Sequence, residues 1–324
     1  MKKTILVTGG AGYIGSCVAH LLHTKGYEVI ILDKLIYAQK FEHSWAKLIQ
    51  ADFADKDILK KIFTENKIEA VLHFAAFIEV GRSVKDPADF YNNNVVKTLA
   101  LLEEMQKHKV KNFIFSSSCA VYGTPQKLPL REDHPKKPIS PYGNTKLAVE
   151  MILEDFANAY GMSFVGLRYF NAAGAIPEEG LGEQHEPETH IIPLLLKAAM
   201  QNKEFKIFGT DYSTPDGTCI RDYLHVKDLA TAHCKALEYL LNGATSNCFN
   251  LGTGTGYSVR ELINIVEQVV GTVVKIQECE RREGDPAVLV SDASTVHDVL
   301  GWKSEFSDLG NIIRDAYEFE VIKS

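Results

Sequence analysis

Thr4-Ile5-Leu6-Val7-Thr8-Gly9-Gly10-Ala11-Gly12-Tyr13-Ile14-Gly15 decides the architecture. A short apolar run enters glycines at 9, 12 and 15, and a helix-patterned stretch follows. Glycines at a strand-to-helix junction permit a tight turn and let a pyrophosphate approach the backbone, while the helix N-terminus supplies amide donors and a dipole. A glycine loop alone is a weak signal, so its context matters. Asp33 closes the next apolar run, Val29–Leu32, 18 residues beyond Gly15. That is near the spacing at which an acid meets the adenosine ribose hydroxyls. A carboxylate there repels a 2′-phosphate, so NAD is expected in preference to NADP. Tyr13 and Ile14, on the first helical turn, join the cofactor candidates, as do Asp52 and Phe53 at the end of the third strand. Asp52 is a candidate acceptor for the adenine amino group.

Outward from this loop, apolar runs alternate with longer amphipathic stretches, the pattern of a parallel α/β sheet. Strands are expected at Thr4–Thr8, Val29–Leu32, Lys47–Ala51, Ala70–Ala76, Asn112–Ser117 and Ser163–Tyr169. Helices are expected at Tyr13–Lys25, Asp55–Asn66, Ala88–His108 and Pro141–Tyr160. Ala173–Glu188, rich in Gly, Pro and Glu, reads as the exit from this lobe. Beyond it, helices are expected at His190–Gln201, Lys227–Leu241, Val259–Val270 and Leu309–Phe319, with extended segments at Phe205–Phe208, Arg221–Val226 and Cys248–Leu251. The fold class is α/β: a Rossmann-type doubly wound parallel sheet with a smaller C-terminal α/β substrate domain. The lobes are expected at 1–174, rejoined by about 221–252, and at 175–324.

The 324 residues carry a net charge of −7 and no basic run, which argues against nucleic acid as the main partner. Six cysteines are scattered without metal-ligand spacing, so reduced thiols are the simplest account. Met1-Lys2-Lys3 before Ile5-Leu6-Val7 faintly mimics a signal peptide, but the apolar run stops at Gly9-Gly10. A soluble, cytoplasmic protein with neither membrane partner nor metal is expected.

Chemistry enters at Ser140-Pro141-Tyr142-Gly143-Asn144-Thr145-Lys146. Serine favours the N-cap and proline the first helical turn, so a helix starts here. Side chains at i and i+4 share a helical face, which sets the Tyr142 phenol beside the Lys146 ammonium. A free tyrosine has a pKa of about 10, and bringing it near 7 takes roughly 4 kcal/mol of preferential phenolate stabilisation. A lysine cation and a cationic nicotinamide ring would share that task.

With these residues in order, the chain resembles the extended short-chain dehydrogenase/reductase superfamily, and within it the UDP-hexose 4-epimerases. The resemblance covers nearly the whole chain. It rests further on His73-Phe74-Ala75-Ala76, Asn93-Asn94-Val95, Ser116-Ser117-Ser118, Leu167-Arg168-Tyr169-Phe170-Asn171, Ile207-Phe208-Gly209, Arg221-Asp222-Tyr223-Leu224-His225-Val226 and Arg281-Arg282-Glu283-Gly284-Asp285. It implies UDP-galactose to UDP-glucose interconversion with tightly held NAD and no net redox change. Tyr142 would take the proton of the sugar 4′-hydroxyl as hydride leaves C4′, and hydride would return to the opposite face after the 4-keto sugar swings. Lys146 would hold the nicotinamide ribose, and Ser118 would hydrogen-bond the reacting hydroxyl. Phe74, Ala75, Ala76, Asn93 and Phe170 would line the cofactor site. Asn171, His190, Ile191, Lys206, Phe208, Arg221, Arg282, Asp285 and Leu289 would hold the UDP-sugar; guanidinium suits phosphate better than ammonium does. A homodimer built on helices of the first lobe is implied likewise.

Departures from the family pattern are few. Ile78 stands where bacterial epimerases carry lysine, His190 where asparagine is common, and Cys119 where alanine is usual. Leu289, at the gate position, is intermediate between a restrictive tyrosine and the small residues that admit N-acetylated sugars. N-acetylhexosamine and pentose nucleotides therefore stay open as substrates. A 4,6-dehydratase would need an Asp-Glu pair at 119–120, where Cys and Ala stand. A silent NAD-binding regulator would have lost Tyr142 or Lys146. His185 and His190 are five apart with Pro187 between, which excludes a zinc-protease helix. Gly252–Gly256 reads as a turn before a helix capped by Ser258.

Overall fold

The computed structural model describes residues 2–37, 41, 43–185, 187–282 and 285–323. Met1, Glu186 of the histidine motif and Glu283-Gly284 of the 281–285 motif lie outside them. The chain forms two compact units. One comprises residues up to Gly123 with Pro135–Arg168 and Ala230–Phe249; the other comprises Thr124–His134, Tyr169–Leu229 and 250 onward. The crossing of Thr124–His134 into the second unit was not expected from the sequence.

The first unit runs β1 (Thr4–Thr8), α1 (Tyr13–Thr24), β2 (Glu28–Asp33), β3 (Lys47–Gln50), α2 (Lys56–Glu65), β4 (Ile68–His73), α3 (Val80–Lys85), α4 (Pro87–Tyr91), α5 (Lys97–Lys107), β5 (Asn112–Ser118), α6 (Pro141–Tyr160) and β6 (Ser163–Tyr169). The second adds β7 (Asn171–Ala173), α7 (Ile191–Met200), β8 (Glu204–Phe208), β9 (Ile220–Arg221) and β10 (Tyr223–His225). Then α8 (Val226–Leu241) and β11 (Asn247–Leu251) take the chain back through the first unit. They are followed by β12 (Tyr257–Ser258), α9 (Val259–Val270), β13 (Lys275–Cys279), β14 (Val288–Leu289), α10 (Ser294–Leu300) and α11 (Leu309–Lys323).

Seven strands form one sheet in the order β11-β6-β5-β4-β1-β2-β3. β1 pairs in parallel with β2 and β4, and is buried along its whole length. A central strand covered on both faces is apolar on both, which is why Ile5-Leu6-Val7 reads as a run without alternation. The strand order reverses beside β1, so the doubly wound, Rossmann-type sheet has its switch point between β1 and β4, where ligands bind beyond the carboxyl ends. The core packs Leu6, Ile30, Val71, Phe113 and Phe115 against Leu101, Leu102, Met105, Val149 and Leu153.

Two expectations fail here for identifiable reasons. β4 stops at His73 although the apolar run continues to Ala76. The Phe74 and Ala75 N–H groups both donate to the Thr8 carbonyl, at 2.9 and 3.2 Å, and turn the chain across the end of β1. The helix expected at Ala88–His108 is broken by a π turn, Asn92–Val96, between α4 and α5. A π turn shifts the helical register and is common at functional sites; here both Asn93 and Asn94 are buried. α3 escaped notice because Val80 and Val84 are exposed and leave no amphipathic pattern.

The second unit folds around α7, α9 and α11, whose Ile192, Leu196, Leu262, Val266, Ile312 and Ile313 share a core with Phe205 and Ile207 of β8. The Arg221–Val226 segment is not one strand. β9 joins β12 and β14, while β10 pairs with β7. Asp222 sits at the break, its carboxylate accepting from the backbone N–H of Thr253, Gly254 and Ser291 at 2.9, 3.1 and 3.2 Å. No helix among the described residues is long and apolar enough to cross a membrane.

Candidate active site

Gly9, at the end of β1, has φ +71, and a Cβ there would lie 2.5 Å from the Ala75 nitrogen. A Cβ on Gly15 would lie 2.2 Å from the Gly9 carbonyl oxygen. The protein itself therefore requires both glycines. Gly12 differs: its φ is −76, and a Cβ would meet only the Gly9 oxygen, at 3.4 Å. The space above Gly12 is open, which leaves room for a pyrophosphate to approach the backbone. Gly12 is also the N-cap of α1, with no side-chain cap and no acid in the first turn. An uncapped N-terminus presents amide donors and positive potential, the complement of a pyrophosphate. Tyr13, Ile14 and Gly15 form that first turn.

Asp33, on the neighbouring β2, accepts from the Ala11 N–H at 3.0 Å and the Leu35 N–H at 2.8 Å. Burial raises its pKa, partly offset by those donors. The carboxylate thus sits against the glycine loop, as an acid meeting a ribose must. These features fit NAD. Asp52 is more occupied: Lys97 and Lys34 reach its Oδ2 at 2.6 and 3.1 Å, and the Ala54 N–H its Oδ1 at 3.0 Å. The Phe53 ring is buried against His73 at 5.0 Å. Phe74 and Ala75 bracket the end of β1, with the Phe74 ring 4.8 Å from that of His233; Ala76 follows, half-buried. Asn93 donates to the Asn94 carboxamide oxygen at 3.1 Å. Asn94, which the sequence reading did not assign, takes the Phe77 N–H at 2.8 Å and donates to the Phe77 carbonyl at 2.9 Å and the Thr145 hydroxyl at 3.2 Å. It ties the loop after β4 to α6. Its only sequence signal was a third consecutive asparagine inside a helical pattern.

α6 begins as read: Ser140 Oγ accepts from the Gly143 N–H at 3.1 Å and Pro141 occupies the first turn. A Cβ on Gly143 would lie 2.6 Å from the Ala120 carbonyl oxygen, so glycine lets the start of α6 close on the segment after β5. Ser118 ends β5 just before that segment, and its hydroxyl accepts from the Ala120 N–H at 3.2 Å. Lys146 lies one turn beyond Tyr142, its Nζ 5.8 Å from the phenol ring centre and 2.7 Å from the Ser116 carbonyl. Burial pushes its pKa down to about 7, opposed by the negative Glu150. His73 is pushed down to about 3, by burial first and by the Lys146 charge second, so it stays neutral. It bridges the Thr8 and Thr98 hydroxyls at 2.6 and 2.9 Å. Cys119 forms no disulfide and is half-buried.

The second unit assembles most of the remaining candidates. β8 alternates buried Phe205 and Ile207 with Lys206 and Phe208 on the other face. The Arg282 guanidinium lies 4.1 Å from the Phe208 ring centre. Arg221 pairs across the sheet with Leu289 and reaches Asp285 at 3.5 Å. Arg281, beside Arg282, is instead an exposed ion-pair partner, holding the Asp211 carboxylate at 2.6 Å. Asn171 spends its amide on the Asp222 carbonyl at 3.0 Å, and Phe170 is buried just before it. His190 is the N-cap of α7 and Ile191 its first residue. The His190 Nδ1 lies 2.6 Å from Glu183 and 3.0 Å from Glu188. Burial alone would lower its pKa, but the two carboxylates raise it to about 10, so a proton bridges this cluster at neutral pH. The Gly252–Gly256 loop is no phosphate site: Asp222 already occupies its amides, and Ser258 caps α9 in a capping box with Glu261.

Residues 5–252 match the model of the NAD dependent epimerase/dehydratase family. The UDP-glucose 4-epimerase of Rhizobium leguminosarum bv. trifolii is 48% identical over 98% of both chains. Among solved structures, the UDP-glucose 4-epimerase of Brucella ovis in complex with NAD superposes with a TM-score of 0.94 at 44% identity, covering 97% of each chain. The UDP-Glc/GlcNAc 4-epimerase of Campylobacter jejuni gives 0.86 at 39% identity over 99% of each. An uncapped glycine helix start, an acid held against the glycine loop and a Tyr/Lys pair on one helical turn thus accompany likeness from end to end, and the chain belongs to the NAD dependent epimerase/dehydratase family.

Proposed function

We propose that this chain interconverts UDP-galactose and UDP-glucose by inverting C4′ of the hexose, with NAD as resident cofactor. The single observation that carries the reading is the Tyr142–Lys146 pair: a buried ammonium 5.8 Å from a phenol ring, on the helix whose Gly143 closes on Ala120, two residues after Ser118. Full-length likeness to UDP-glucose 4-epimerases supports the choice of substrate.

Bound NAD supplies a reversible two-electron oxidant for the sugar carbon. Tyr142, as phenolate, accepts the proton of the 4′-hydroxyl, and Ser118 holds that hydroxyl in hydrogen-bond reach. Lys146 favours the phenolate over the phenol by its positive charge. When the 4-keto sugar turns about its diphosphate link and presents its other face, Tyr142 returns the proton. No net redox change results. Arg221 and Arg282 are suited to the diphosphate, Phe208 to uracil, and Asn171, His190, Ile191, Lys206, Asp285 and Leu289 complete the UDP-sugar contacts. The acid at Asp33 supports NAD over NADP, and the enzyme works as a cytoplasmic homodimer in this reading.

The test is incubation of the purified protein with UDP-galactose and no added NAD. Appearance of UDP-glucose is the expected result. Tight NAD binding with no conversion of the sugar would sink the proposal in favour of a silent NAD-binding protein.

A further inference from the structure

Lys146 is 3% exposed, and nothing in the catalytic scheme explains how a cation survives there. Moving an ammonium out of water is costly unless an opposite charge accompanies it. Four residues further along α6 stands Glu150, itself 1% exposed and one helical turn from Lys146. Its Oε1 accepts from the Ser117 hydroxyl at 2.7 Å and from Arg168 Nε at 2.8 Å, and its Oε2 from Arg168 Nη2 at 2.7 Å. Arg168 also donates to the Tyr122 hydroxyl at 2.9 Å. The cluster joins α6 to β5 one residue before Ser118, to β6, and to the turn after β5.

We infer that Glu150 is a positioning residue for the proposed reaction: its buried carboxylate supplies the counter-charge that holds Lys146 as a cation, while its bonds to Ser117 and Arg168 lock α6 against the strand that carries Ser118. This rests on the epimerase reading above. The other groups facing Lys146 cannot do this. His73, on β4, is neutral; the Ser116 carbonyl and Phe115 ring, on β5, carry no net charge; and Tyr142 is the group to be ionised. Arg168 has its own pKa raised, with burial opposed and outweighed by the Glu150 hydrogen bonds, so it stays charged throughout. Its two bonds to Glu150 temper the carboxylate's field, which still reaches Lys146 and opposes the effect of burial there.

The sign of the effect follows from the charges. Removing Glu150 takes away the negative charge that opposes burial at Lys146 and leaves Arg168 uncompensated in the same buried cluster, which disfavours the ammonium, so Lys146 loses its proton at lower pH. Taking the roughly 6 Å Cβ spacing of side chains one helical turn apart as the scale, with an effective dielectric near 20, one charge moves a pKa by about two units.

The experiment is the pH profile of kcat for holoenzyme of the wild type, Glu150→Gln, Glu150→Asp and the double variant Glu150→Gln/Arg168→Met, each with its melting temperature. Glu150→Gln is expected to move the limb on which activity falls with rising pH about one to two units toward acid. The double variant, which removes both charges, should bring that limb back to within about half a unit of wild type, even though it melts lower. Glu150→Asp, with its carboxylate drawn back, should move the limb the same way by a smaller amount, and it serves if Glu150→Gln does not fold. A Glu150→Gln or Glu150→Asp profile of unchanged shape, merely scaled down, would overturn the inference. So would a double variant shifted as far as the single one. If the wild type itself does not epimerise UDP-galactose, it is the functional reading that fails, and the two failures are told apart by that control.

Discussion

Gly12→Ala should separate what the fold needs from what the cofactor needs. The backbone at Gly12 has φ −76 and ψ 174, a conformation open to any residue. The new Cβ would touch one atom, the Gly9 oxygen, at 3.4 Å, an ordinary contact. Alanine loses less entropy on folding than glycine, worth about 0.4–1 kcal/mol of stability, but is a poorer N-cap by a similar amount. The stripped protein should therefore melt within a few degrees of wild type. The methyl group projects where a pyrophosphate would meet the α1 amides. Displacing the anion weakens one or two charge-assisted hydrogen bonds, each worth about 1.5–3 kcal/mol. A net loss of about 2–3 kcal/mol corresponds to roughly 30- to 150-fold in NAD affinity. Gly15→Ala is the contrasting control: its Cβ would lie 2.2 Å from a carbonyl oxygen, so the fold itself must give way. Such overpacking costs about 1–3 kcal/mol or more and lowers the melting temperature with or without NAD. Calorimetric NAD titration and thermal melts of stripped protein read both quantities. NAD affinity for Gly12→Ala equal to wild type would refute the reasoning that the open space above residue 12 belongs to the cofactor.

Three further outcomes are expected. Tyr142→Phe should lower kcat by about 10²–10⁴-fold, the usual weight of a general base, while isothermal titration still registers NAD and UDP; comparable turnover would discard the assignment. Asn94→Ala removes a buried carboxamide with bonds to Phe77 and Thr145 and should cost about 1–3 kcal/mol, read as a lower melting temperature. His190 has a folded pKa of about 10, above the free value near 6.5. Its contribution is complete below about pH 6.5 and is lost as pH rises toward 10, so Glu183→Gln should flatten that part of the stability curve. Melting temperatures between pH 6 and 10 that fall equally for both proteins would contradict the His190 assignment.

Much of the fold could be read locally. β1 and the glycine loop, the Pro141–Tyr160 helix with its Ser140 cap and the Ser258-capped α9 all follow from short-range rules of period, capping and steric space. The i, i+4 spacing of Tyr142 and Lys146 was likewise enough to set them side by side, because one helical turn is a local object. The roles of Arg221, Phe208 and Arg282 came by resemblance, since nothing local distinguishes a phosphate-binding arginine from a surface one. The tertiary structure alone decided which charges meet. Glu150 and Arg168 are 18 residues apart, on different elements, and only the sheet order brings the carboxylate under the guanidinium. Asp222 divides an apparently continuous strand because its carboxylate is needed by amides at 253, 254 and 291. The π turn at Asn92–Val96 likewise exists because Asn94 has partners at Phe77 and Thr145. Local propensity is a property of neighbours along the chain, whereas burial and charge pairing are properties of neighbours in space, and the latter set whether Lys146 is charged at all.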